Sequence, residues 1–200
     1  MYSTMPNFVL GFHGCDLSVY EKVIQGQAIL KQSNNDYDWL GHGVYFWESN
    51  PQRANEFAGE LKERGKIKSI AVIGAIIDLG YCLNLIDTKS LKIVKATYEM
   101  MKLLFESIGK SMPENRNISK NTDLLLRNLD CAVIESLHQY RKINNEREFD
   151  TIRGLFLEGE PLYPNAGFNE KNHIQICVRN PNCIKGYFKP MESTIFYPIP

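Results

Sequence analysis

The sequence predicts an α+β domain. Segments rich in β-branched and aromatic residues lie toward both ends, and two long stretches of helical periodicity lie between them. The strict strand–helix alternation of a doubly wound parallel sheet is missing. The 200 residues suit one domain, 1–200. Hydrophobic residues make up 44% and charged residues 23%, enough apolar surface to offset the entropy of ordering.

Each element has a local reason. Asn7 to His13 reads as a strand ending at Gly14. Leu17 to Gln25 reads as a short helix, with Asp16 placed to cap it. Lys31 to Trp39 is a polar loop, and Gly43 to Trp47 is a β-branched and aromatic strand. Ser49 and Pro51 suit the N-cap and an early position of a helix running to about Arg64. Lys68 to Leu79 reads as a strand covered on both faces, because its apolar run is nearly continuous. Asp87 or Ser90 caps a helix to about Ile108, and Asp123 opens a second one to about Lys142. Between them, Ser111 to Asn121 is a polar loop holding Pro113. Ile152 to Leu157, His173 to Val178 and Gly186 to Lys189 read as the last strands.

Composition narrows the function classes. Lys plus Arg and Asp plus Glu are both 23, so the formal net charge is zero and binding of nucleic acid through bulk charge is disfavoured. No apolar run approaches the roughly 18 residues of a membrane span. The first residues, MYSTMPNFVLGF, lack the basic start and long apolar core of a signal peptide. Five cysteines without a CxxC pair and four scattered histidines argue against a zinc site or a disulfide framework. A cytoplasmic location is therefore expected. No GxGxxG or GxxxxGK[ST] phosphate loop is present.

Three places carry possible chemistry. Phe12-His13-Gly14-Cys15 puts an imidazole at a strand end, beside backbone that a ligand can approach closely. Gly41-His42-Gly43-Val44-Tyr45-Phe46 brackets one residue with glycines before an aromatic strand, so that Tyr45 can stack a planar ring. In His173-Ile174-Gln175-Ile176-Cys177-Val178, alternation puts His173, Gln175 and Cys177 on one face. A glutamine inside an apolar strand needs hydrogen-bond partners or a ligand.

Together these motifs resemble the ADP-ribosyltransferase fold, in its diphtheria-toxin and poly(ADP-ribose) polymerase branch with a His-Tyr-Glu triad. The resemblance spans His13 to Tyr187, and its most specific part is GHGVYF. It implies a split-sheet domain with inserted helices, roughly residues 90–142, that uses NAD as co-substrate. His13 would hydrogen-bond the nicotinamide ribose, and Gly14 would hold the carboxamide through its backbone. Tyr45 would stack the nicotinamide, and Phe57 would stand near the second stacking aromatic. The loop from Leu30 to Asp38 would lie on the adenine side. Gln175 takes the place of the catalytic Glu, keeping a hydrogen bond and losing the charge. A rival carboxylate is Glu158-Gly159-Glu160, which resembles the Glu-x-Glu pair of arginine-modifying members.

The reading implied is a toxin-like mono-ADP-ribosyltransferase, with His13, Tyr45 and Gln175 as its catalytic set. Its acceptor would be a protein or nucleic acid, and a partner protein could mask the cleft. An NAD glycohydrolase and a non-catalytic NAD or ADP-ribose-binding module are the alternatives. An RNA 2′-phosphotransferase is a further one, with Arg153 and Arg179 as its candidate arginines.

Overall fold

A computed structural model of the chain describes residues 8–117 and 123–191. In chain order the elements are β1 (Phe8–Asp16), α1 (Leu17–Ile24), β2 (Val44–Glu48), α2 (Pro51–Glu63), β3 (Ile70–Asp78), β4 (Cys82–Asn84), α3 (Thr88–Ser107), β5 (Asn115–Arg116), β6 (Leu126–Arg127), α4 (Asn128–Ile143), β7 (Thr151–Phe156), β8 (His173–Val178) and β9 (Ile184–Phe188). Among the described residues a seven-stranded mixed sheet runs in the order β4-β7-β8-β2-β1-β3-β9, and β5 pairs with β6 in a separate ribbon. The β4–β7 pair is parallel, and the other pairs are antiparallel. The fold is thus α+β, with helices on both faces of one sheet.

The core has one large cluster on each face. On one face Val23 of α1 and Leu30 of the following loop cover Phe46, Ile73, Ile77 and Ile176. On the other, Ile134 and Leu137 of α4 cover Leu83, Ile152, Phe156 and Cys177. That second face continues under α2, where Ala54 packs with Phe12 and Trp47. Both faces of β8 are therefore covered, and the His173/Gln175/Cys177 face is not a solvent face.

Caps and turns explain most boundaries. The Asp16 carboxylate accepts from Ser18 N at the start of α1 and from Lys68 N and Ser69 N, tying the end of β1 to the approach to β3. Asn50, not Ser49, caps α2 through Arg53 N at 2.9 Å. Ser49 instead takes a left-handed φ of 50° and donates its N–H to Leu10 O. Asp87 caps α3 through Ser90 N. The helix expected from Asp123 begins only at Asn128, because residues 126–127 pair with 115–116 and Asn115 Oδ1 receives the N–H groups of Leu129 and Asp130. β5 thus lies within the expected loop from Ser111 to Asn121, whose last residues fall, like Asn7, outside the described residues. β4 has no counterpart among the expected strands; it is three residues long and exists through its pairing with β7.

Candidate functional site

The site begins where the sheet opens. β1 pairs with β3 along all nine of its residues, yet with β2 only at Gly11↔Glu48 and Phe12↔Trp47. Beyond that the strands part, and His13 Nδ1 spans the gap to Tyr45 O at 2.8 Å. Period-two geometry gives the orientations. Leu10 O accepts from Ser49 N on the β2 side, so the N–H and C=O of Gly14 also point that way, into the split. Tyr45 O points toward β1, as do the backbone groups of Gly43, and Ser33 exchanges both hydrogen bonds with Gly43 there at 2.8 and 3.1 Å. The loop expected on the adenine side thus enters the far end of the split, anchored by buried Leu30.

A carbonyl oxygen can only accept, so His13 Nδ1 carries the proton. Burial lowers the His13 pKa, partly offset by the Tyr45 carbonyl, so the ring is neutral near pH 7. Its Nε2 is then an acceptor. The ring sits edge-on to Phe46, 5.9 Å between centroids, on the face away from Phe12. The structure thus brings His13 to the backbone of Tyr45 rather than to its ring.

The Tyr45 ring faces the other side of the sheet. Its hydroxyl donates to Gly41 O at 2.6 Å and accepts from Leu40 N at 2.8 Å, and burial pushes its pKa up. The GHG turn is folded onto its own tyrosine. Gly43 is needed there because a Cβ would lie 2.5 Å from Cys177 Sγ. Gly14 also serves the packing of α2, which seats directly on it: a Cβ there would come within 2.1 Å of Ala54 O.

Gln175 lies on the face of the Tyr45 ring, opposite Trp47 on β2 and Gly154 on β7. Tyr45 itself faces Cys177, so Gln175 is its diagonal neighbour. Among the described residues the Gln175 amide makes no hydrogen bond. Phe57 on α2 packs against Trp47, 4.9 Å between centroids. Trp47 thus occupies the place beside Phe57, between it and the sheet.

Beside Gln175 sits a charged cluster that sequence reasoning assembled only in part. Arg53 is 4% exposed and donates from Nη2 to both oxygens of Glu158 at 3.1 Å. Glu60 and Glu56 also approach its Nη1, at 3.5 and 3.8 Å. His173 donates Nδ1–H to Lys171 O at 2.6 Å, and burial lowers its pKa. Among the described residues three buried atoms here have no hydrogen-bond partner: Trp47 Nε1, Arg53 Nε and His173 Nε2. Glu158 is therefore the counter-ion of a buried arginine. A signal was present, since Arg53 stands three and seven residues before glutamates on one helix, but its partner 105 residues away left none.

A second, half-buried network holds the turn before β2. Glu135 on α4 accepts from His42 N at 2.8 Å and from both terminal nitrogens of Arg179. Burial raises the Glu135 carboxyl, but these hydrogen bonds outweigh it and the net shift is downward. Arg153 is likewise engaged, donating from Nε and Nη2 to Glu48 at 2.5 and 2.8 Å. Both candidate phosphotransferase arginines are thus engaged by carboxylates.

Two cavities lie elsewhere. One of about 260 Å³ adjoins His42, Arg179 and Gln32. One of about 450 Å³ lies between α3, α4 and β7. Neither is lined by His13, Tyr45 or Gln175. Among the described residues no group of three His, Cys, Asp or Glu is placed to hold a metal, and no helix is long and apolar enough to cross a membrane.

Comparison with known proteins adds one relative. The chain is 29% identical over 203 residues to the uncharacterized protein MJ0359 of Methanocaldococcus jannaschii, covering 92% of this chain and 88% of that protein. No family model matches the chain. No solved structure matches it either.

Proposed function

We propose that this chain is a split-sheet ADP-ribosyltransferase-like domain that uses NAD to transfer a single ADP-ribose to a macromolecular acceptor. One observation carries the reading. The sheet parts between β1 and β2 where a neutral His13 bridges to Tyr45 O, leaving Nε2 as an acceptor beside the Gly14 backbone, whose N–H and C=O point into the split. That acceptor suits a ribose hydroxyl, and a backbone donor and acceptor together suit a carboxamide.

The chemistry asked of the site is electrostatic. The bond from C1′ of the ribose to the nicotinamide nitrogen breaks, and its electron pair leaves with nicotinamide. The acceptor's nucleophile then bonds to C1′ and gives up its proton. The sugar carries positive charge between these events, and a preorganised dipole lowers that barrier. Gln175 stands on the opposite face of the sheet from the His13 ring, so its side-chain carbonyl reaches a sugar held at His13 only through the split, where it would supply a dipole without the charge of a carboxylate. Its amide, without a partner among the described residues, also favours a second reading, an NAD or ADP-ribose-binding module without turnover.

The test is nicotinamide release from NAD by the purified protein, with and without cell lysate, beside His13→Ala. Release that depends on His13 supports the enzyme, and dependence on lysate points to a macromolecular acceptor rather than water. Saturable NAD binding without release selects the binding module. Absence of both refutes the site.

A further inference from the structure

The cavity of about 450 Å³ between α3, α4 and β7 has no role in the proposed NAD chemistry. Its depth is built from buried aliphatic and aromatic side chains: Leu40, Val133, Ile134 and Phe156. Gly154 of β7 adds room, because it contributes no side chain there. Leu91 and Val94 of α3 form the opposite wall. The volume lies in the range of small-molecule sites.

The charged groups on the lining are uneven. Lys95 and Arg127 face a single carboxylate, Asp130. Among the described residues Lys95 has no ion-pair partner. Arg127 is held in place: Nε donates to Leu124 O at 3.2 Å, Nη1 to Asp130 at 3.3 Å, and the guanidinium lies 4.3 Å over Trp39 and 4.9 Å over Phe156. The start of α4 stands at the same end, adding the partial positive charge of a helix N-terminus. An apolar interior with surplus positive charge at its mouth matches a ligand with an apolar body and one anionic end. The Trp39 ring already packs against Arg127 and Phe156, so the open wall is mainly aliphatic.

We propose that this cavity binds a single-chain acyl carboxylate, its chain between α3 and α4 and its carboxylate at Lys95 and Arg127. The proposal stands apart from NAD chemistry. The experiment is calorimetric titration of the full chain, without NAD, using octanoate, decanoate, dodecanoate and dodecanol. Affinity should rise about fourfold per added methylene, the value for a fully buried CH₂. Dodecanoate should bind at least fivefold more tightly than dodecanol. Lys95→Gln should weaken dodecanoate severalfold and leave dodecanol unchanged. Val94→Trp should fill the cavity and abolish binding of both. Leu91→Trp does the same from the half-exposed rim should the first variant fold poorly. Equal affinity for acid and alcohol, or binding that survives both tryptophan variants in folded protein, would overturn the proposal. So would the absence of any binding at millimolar ligand.

Discussion

Acid should destabilise this protein through its buried histidines, and His138 gives the size of the effect. It lies on α4, is 2% exposed, and has Nδ1 3.5 Å from Glu148 Oε2, while Nε2 has no hydrogen-bond partner among the described residues. Burial, and then the positive charge of Arg179, push its pKa down to about 4, against the opposing pull of Glu135 and Glu148. In the unfolded chain the ordinary value is 6.5. Between those values the unfolded chain binds a proton that the folded one does not. Stability therefore falls as pH drops from about 6.5 and levels off below about 4. At about 1.36 kcal/mol per pH unit, the whole window is worth roughly 3 kcal/mol, of which about 2 is lost between pH 7 and 4.5. His13 and His173, also shifted down by burial, steepen the same limb. Glu135 and Asp150, shifted down by hydrogen bonds and charge, lose their contribution only below the ordinary carboxylate range. The assay is urea unfolding at half-unit steps from pH 7.5 to 4.5, for the wild type and His138→Leu. The leucine variant should match or exceed the wild type at pH 7, since it removes a buried nitrogen without a partner and leaves the exposed Glu148 to water. It should lose about 2 kcal/mol less by pH 4.5. Parallel curves for the two proteins would refute the reasoning.

Three further outcomes follow from the site. Gly14→Ala should cost about 1–3 kcal/mol in unfolding experiments and abolish NAD binding, because its Cβ would meet Ala54 O of α2. Gly186→Ala, with no atom near the added carbon, is the near-neutral control. Glu158→Gln should destabilise by about 3 kcal/mol in urea, at the lower end for a broken buried pair, since Glu60 still faces Arg53. A loss below about 0.5 kcal/mol would show the pair to be idle. Gln175→Glu should raise nicotinamide release, and an unchanged rate in a folded variant would move the reacting centre away from β8.

Local signals were strong wherever one residue acts on its near neighbours. Asp16 caps its helix, Asp87 its own, and VYFW lies in a strand. They failed where a distant partner decides. Asp123 reads as a helix start, yet the side chain that takes up the first free N–H groups of α4 belongs to Asn115. Ser49 reads as a cap by residue type, but the crossing from β2 needs its left-handed turn, and the cap passes to Asn50. Cys82–Asn84 is too short to announce a strand and is held there by β7.

The candidate site divides the same way. His13, Gly14, Tyr45 and Gln175 stand out in the sequence because imidazole, glycine, aromatic and amide in strand settings are chemically conspicuous at short range. Only the tertiary structure decided that His13 reaches a carbonyl rather than a ring, that Phe57 packs on Trp47, and that Glu158 neutralises a buried arginine. Periodicity and capping act over a few residues and are written in the chain. Ion pairs and ring packing join residues 105 or more positions apart, and their partners are set by how strands and helices assemble.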